Sequence, residues 1–150
     1  MEWVSGAIFC LLGGIFLLIG IAGQKKAAKS AAWPTASGTV LSSSIIEKSS
    51  MDDDGASSSS YEPRVVYQYS IMGTAYEGKR ISFGANQFDR RTAEKISAAY
   101  PAGAQVTVHY NPEKPGEGVL ETKARGGMLF TVLGIILLVI GVVVLLIKVI

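Results

Sequence analysis

The chain has 150 residues, 49% of them hydrophobic and only 17% charged, with a formal net charge of +2. The apolar excess sits at the two ends: Trp3 to Gly23 is a 21-residue run without a formal charge, and Gly126 to Ile147 is another of 22. As helices rising about 1.5 Å per residue, the two runs span about 31–33 Å, the depth of a hydrocarbon core. This composition excludes a freely soluble protein and leaves residues 24–125 for one small domain.

The first run, 3–23, is expected to be a transmembrane helix rather than a cleaved export signal, because its n-region is Met-Glu and its apolar core exceeds the usual length. Small residues near Gly20 to Ala22 are the only feature that favours cleavage. Cys10 is the sole cysteine, so an intramolecular disulfide, a cysteine-rich zinc site and a CxxC pair are all excluded. Its place behind Ile8 and Phe9 does not suit a lipidated cysteine, and it reads as a packing residue.

Two spans put both termini on one side of the membrane and the central segment on the other. Lys25, Lys26, Lys29, Lys114, Lys123 and Arg125 flank the central ends of the helices, against Lys148 at the far end. The positive-inside rule therefore expects an integral membrane protein with its domain in the cytoplasm, the alternative being a periplasmic or extracellular domain.

Residues 24–37 are expected as a linker and 38–122 as a β-rich domain. Gly38 to Glu47 reads as a first strand. Tyr61 to Ile71 alternates clearly, with Tyr61, Pro63, Val65, Tyr67, Tyr69 and Ile71 on one face. A turn at Met72-Gly73-Thr74 leads to a third strand, Ala75 to Phe83, with a bulge expected at Gly78. Phe88 to Tyr100 has helical spacing at Phe88, Thr92, Ile96 and Ala99, with Asn86 or Asp89 as N-cap. Ala104 to Tyr110 alternates again with His109 facing outward, and Gly118 to Thr122 forms a short last strand before the second transmembrane helix at 126–147.

The expected fold is thus two transmembrane α-helices flanking a small mainly-β domain of order βββαββ. That order suits a five-stranded OB-like or related barrel, with an open α+β sheet as the alternative. Barrel closure would remove exposed strand edges, a hazard for so small a sheet.

Gly38-Thr39-Val40, Tyr61-Glu62-Pro63 with Val65, Tyr67 and Tyr69, Gly73 with Tyr76, Tyr100-Pro101-Ala102-Gly103, and Val106 to Pro112 (VTVHYNP) together resemble a widespread bacterial family of membrane-anchored domains of unknown function. The resemblance covers roughly residues 33 to 122. It implies a small β-domain between or beside hydrophobic helices, and no activity or catalytic residue to carry over.

The segment 48–60 holds six serines and Asp52-Asp53-Asp54, and is expected to be a mobile loop because it cannot bury enough surface to offset its ordering entropy. A calcium loop needs ligands at alternate positions and a glutamate at the twelfth; counting from Asp52 the twelfth is Pro63, so no metal site is expected. No catalytic residue is expected either. The lone histidine, His109, and the membrane-embedded Cys10 cannot complete a nucleophilic constellation, and no phosphate-binding glycine loop is present, so neither an enzyme nor a cofactor is expected.

Two basic pairs, Lys79-Arg80 and Arg90-Arg91, are candidate contacts for lipid headgroups or a partner. The nearly balanced charge of the domain argues against nucleic acid. Glycines repeat every seven residues in both apolar runs: Gly6, Gly13 and Gly20 in the first, Gly127, Gly134 and Gly141 in the second. Such a period keeps each set on one side of its helix, where glycine permits close backbone approach. Antiparallel packing would oppose Gly20 to Gly127, Gly13 to Gly134 and Gly6 to Gly141, or the seams would join a homo-oligomer.

The functional expectation is a non-enzymatic membrane-anchored protein whose β-domain binds another protein at the membrane surface. The alternatives are a structural or regulatory subunit acting through its transmembrane helices, and an immunity-type protein that captures a toxin at the membrane.

Overall fold

The computed structural model describes residues 3–51, 55 and 57–147. Eight elements follow in order: α1 (Trp3–Ser30), β1 (Thr35–Met51), β2 (Ser57–Ile71), β3 (Thr74–Gly78), α2 (Arg90–Ala98), β4 (Gln105–Asn111), β5 (Lys114–Val119) and α3 (Gly127–Ile147). Two helices, Val4–Ser30 within α1 and α3, are long and apolar enough to cross a membrane. With 28 residues α1 is about 42 Å long, some two turns more than a hydrocarbon core requires. The surplus is Gln24 to Ser30, which carries Lys25, Lys26 and Lys29. The expected linker over 24–37 is therefore corrected: α1 continues unbroken through Ser30, and β1 begins at Thr35.

The five strands form one antiparallel sheet in the order β3-β2-β1-β4-β5. It is not closed into a barrel. β3 stops after five residues and β5 at Val119, so the two outer strands do not pair. Irregular chain takes over where they end: Leu120 and Glu121 donate their N–H groups to the Ile81 carbonyl at 3.1 and 2.7 Å.

β3 ends at Gly78, which pairs with Tyr67 and is buried against its ring; a Cβ there would run into the aromatic carbons. The bulge expected at Gly78 is found instead in β1. Val40 pairs with Tyr67 and Ser42 with Val66, which leaves Leu41 as the extra residue, exposed. The insertion reverses the phase of β1, so that Val40 before it and Ser43 and Ile45 after it share the core face of their partners Tyr67, Val65 and Pro63.

The expected loop over 48–60 is also corrected for the residues described. Lys48 pairs with Ser60, Ser49 with Ser59, Ser50 with Ser58 and Met51 with Ser57, extending β1 and β2 into a long hairpin. The polar composition hides the pairing because both faces of this ribbon meet solvent, so no apolar alternation marks it. The three aspartates 52–54 lie outside the described residues.

The core joins Val40, Val65, Tyr67, Tyr69, Ile81, Ile96, Val108 and Leu120. α2 covers it through Ala93 and Ile96. The helix is shorter than the expected 88–100 because the Asp89 carboxylate accepts from the Thr92 N–H at 3.0 Å and starts it at Arg90. That start turns Ala93 inward and leaves Ala99 exposed, correcting the expected face. The last strand also begins earlier than expected, at Lys114, where Pro115 and Gly116 obscure it in the sequence.

A second cluster, Ala27, Phe83 and Val119 with Trp33 and Ala124, seats the end of α1 on the domain. The Trp33 and Phe83 rings meet edge-on at 6.0 Å. His109 pairs with Thr35 and Val119 on this covered side of the sheet. It is half-buried, and its Nδ1 is shielded from solvent without a hydrogen-bond partner among the described residues. The solvated position expected for His109 is thereby corrected: it shares a strand face with Val119, which packs against Ala27 of α1.

Candidate functional site at the junction of domain and helices

The domain is tied to the start of α3 by a short polar clamp. Tyr100, just after α2, donates its hydroxyl to Glu121 Oε1 at 2.7 Å. Arg125 reaches the same carboxylate with two bonds, Nη2 to Oε1 at 2.6 Å and Nε to Oε2 at 2.9 Å. Burial alone would raise the Glu121 carboxyl, but the hydrogen bonds from Arg125 and Tyr100 and the charge of Arg125 outweigh it and hold Glu121 below its ordinary range. The Tyr100 hydroxyl is pushed well above its usual value by burial first and by the adjoining carboxylate second. The backbone doubles the connection: Arg125 N–H donates to the Phe83 carbonyl at 3.0 Å and Ala85 N–H to the Arg125 carbonyl at 2.8 Å.

Beside this clamp lies a cleft of about 530 Å³ between α1, the segment 79–88, and Arg125. Lys26, Lys79, Arg80 and Arg125 line it, with Glu62 as the only carboxylate among the lining residues. Glu62 is engaged by Lys48 at 2.6 Å, and Arg125 by Glu121. Lys79 is held only loosely, 3.5 Å from Glu77. Arg80 lies over the Phe83 ring at 5.0 Å and reaches Glu117 at 3.3 Å. The cleft therefore keeps an excess of positive charge, and the Ser82 and Asn86 side chains add polar groups to its wall.

A second groove, about 360 Å³ and mostly apolar, runs from the same place down the helix pair. Ile19, Gly20 and Phe130 line its lower part, and it shares Gly23, Gly84, Ala85 and Asn86 with the basic cleft above.

Of the basic residues singled out in the sequence, Lys79 and Arg80 face the cleft. Arg90 and Arg91 do not: they lie exposed on α2, where Arg90 Nε pairs with Glu94 at 2.8 Å. Lys26 and Arg125 join Lys79 and Arg80 only in the folded chain. Their sequence signal is merely their nearness to the helix ends.

The six seam glycines are all buried, with Gly6, Gly13 and Gly20 of α1 facing Gly141, Gly134 and Gly127 of α3. A Cβ at Gly13 would lie 2.9 Å from the Gly134 carbonyl oxygen, and one at Gly141 only 3.1 Å from that of Gly6. Backbones this close take a side chain only if the two helices shift apart slightly. Below the domain, Phe16 and Phe130 stack at 6.1 Å, and Gln24 Nε2 donates to Thr131 Oγ1 at 3.2 Å.

No curated protein matches the chain. Residues 36–125 match the family described as Domain of unknown function (DUF3592), and since the match spans more than half of the sequence, the chain belongs to that family.

Proposed function

We propose that this protein is a non-enzymatic, membrane-anchored recognition module whose β-domain takes a protein partner along the free edge of β1. The observation that carries this reading is the β1–β2 ribbon. β4 pairs with β1 only from Thr35 to Thr39, so on the side away from β2 the stretch Ser42 to Met51 has no strand neighbour among the described residues. Such an edge presents a row of backbone donors and acceptors that an extended segment of another chain can complete. The packing of Ala27 against Phe83 and Val119, and the backbone bonds of Arg125 to Phe83 and Ala85, support presentation at a set height above the bilayer. The lysines at the inner end of α1 favour a cytoplasmic domain in a bacterial inner membrane. The approach of 80–81 to 120–121 favours a partly open relative of the small five-stranded barrels. The close Gly13–Gly134 approach within one chain favours the seam as an intramolecular rather than a homo-oligomeric contact.

Photo-crosslinking of the full-length chain in its native membranes tests the reading. Probes at Leu41 and Ser44 should yield a discrete protein adduct, and a probe at Arg91 on α2 should not. Adducts formed only from lipid-facing Ile15 would replace this function with that of a subunit acting through its helices; absence of an edge adduct would remove it.

A further inference from the structure

We propose that the cleft between the end of α1 and the segment 79–88 is a binding site for the phosphate headgroup of an anionic membrane phospholipid, with one acyl chain in the groove beneath. Three observations carry this. The charge is complementary: Lys26, Lys79 and Arg80 converge on one cleft, and the sole carboxylate in its wall is already engaged by Lys48. The height is right as well. Gly23 and Lys26 stand where α1 has risen about 31–35 Å from Trp3, at the boundary of hydrocarbon and headgroups. Finally, the cleft opens into an apolar groove through Gly23, Gly84, Ala85 and Asn86, and that groove is floored by Ile19 and Phe130 at membrane depth. A free phosphate would use the upper part and leave the lower empty, whereas a phospholipid fills both. Gly23 lines both cavities, and the absence of a side chain there leaves the passage between them open. The site does not depend on the free edge of β1, which belongs to the distal ribbon.

The test uses the full-length chain reconstituted in nanodiscs of phosphatidylcholine containing a minor fraction of phosphatidylglycerol, with retained lipid identified by native mass spectrometry. Phosphatidylglycerol should be retained preferentially over phosphatidylcholine. Lys26→Gln with Lys79→Gln should lower that preference by about tenfold, while Arg90→Gln with Arg91→Gln, which removes equal charge outside the cleft, should leave it intact. Gly23→Leu, whose Cβ has an ordinary 3.4 Å clearance from Gly84 Cα, should fold normally and lower retention by filling the groove. Unchanged thermal unfolding of each variant confirms that the loss is one of binding. Equal loss in both charge pairs would overturn the site in favour of unspecific surface attraction. Displacement of the lipid by inorganic phosphate, with Gly23→Leu without effect, would overturn the lipid and leave a free-anion site.

Discussion

Tyr100 donates its hydroxyl to Glu121 across 2.7 Å, and through that one carboxylate the end of α2 is joined to the chain that enters α3. Arg125 grips the same carboxylate from the other side, one residue before the Gly126–Gly127 start of α3. Side-chain and backbone hydrogen bonds thus connect the domain to the start of α3.

This clamp is sensitive to acid. Because the folded protein holds the Glu121 carboxyl below its ordinary value, its contribution is present above the unfolded-state pKa and is lost as pH falls through the folded one. Thermal unfolding of the full-length chain should therefore show a falling midpoint on acidification below the ordinary carboxylate range, with a shallower fall in Glu121→Gln. Tyr100→Phe should cost about 1–2 kcal/mol at neutral pH, as expected for a hydrogen bond to a partly exposed charged acceptor. Equal acid slopes in wild type and Glu121→Gln would place the acid sensitivity elsewhere.

Tyr67 is fully buried and donates its hydroxyl to the Arg80 carbonyl at 2.8 Å, which holds the 79–88 segment onto the sheet. Tyr67→Ala should cost about 3–5 kcal/mol, enough to unfold a domain of this size. Tyr67→Phe keeps the ring and removes only the hydrogen bond, and should cost about 1 kcal/mol. Denaturant unfolding of both variants checks the ratio; similar losses would mean that the hydroxyl rather than the ring dominates.

Cys10 offers a direct probe of the helix seam. Its Sγ lies 2.7 Å from where a Cβ on Gly141 would stand, close to the spacing of a disulfide. Gly141→Cys should therefore oxidise to an intramolecular Cys10 bridge, read as a monomeric band with accelerated mobility on a non-reducing gel. A covalent dimer would assign the seam to contacts between chains.

Gly84 has φ +96, and a side chain there would point into the Arg125 carbonyl. Gly84→Ala is expected to break the Ala85–Arg125 backbone bond as well as strain the turn, with a loss of about 1–3 kcal/mol. Hydrogen exchange should quicken at Ala85 and Arg125 and remain unchanged at Val65 and Val108. Uniform quickening would indicate global destabilisation instead.

The sequence by itself determined the elements whose signal is local. Two uncharged runs of bilayer length mark α1 and α3, period-two alternation marks Val65-Tyr67-Tyr69 and Val106-Val108, and a seven-residue glycine period places six small residues along two helix faces. Only the tertiary structure decided the rest. The 48–51 and 57–60 strands carry no apolar face and are strands only because each pairs with the other. His109 alternates as a solvent-facing residue, yet its Nδ1 is shielded from solvent, on the strand face where Val119 packs against Ala27 of α1, more than seventy residues away in the chain. Lys26, Lys79, Arg80 and Arg125 are scattered along the sequence, and they share a cleft only because the 79–88 segment, tied to the sheet by the Tyr67 hydroxyl on the Arg80 carbonyl, lies beside the end of α1. Periodicity records which way a residue faces within its own element; which other element covers that face depends on contacts between residues far apart in the chain.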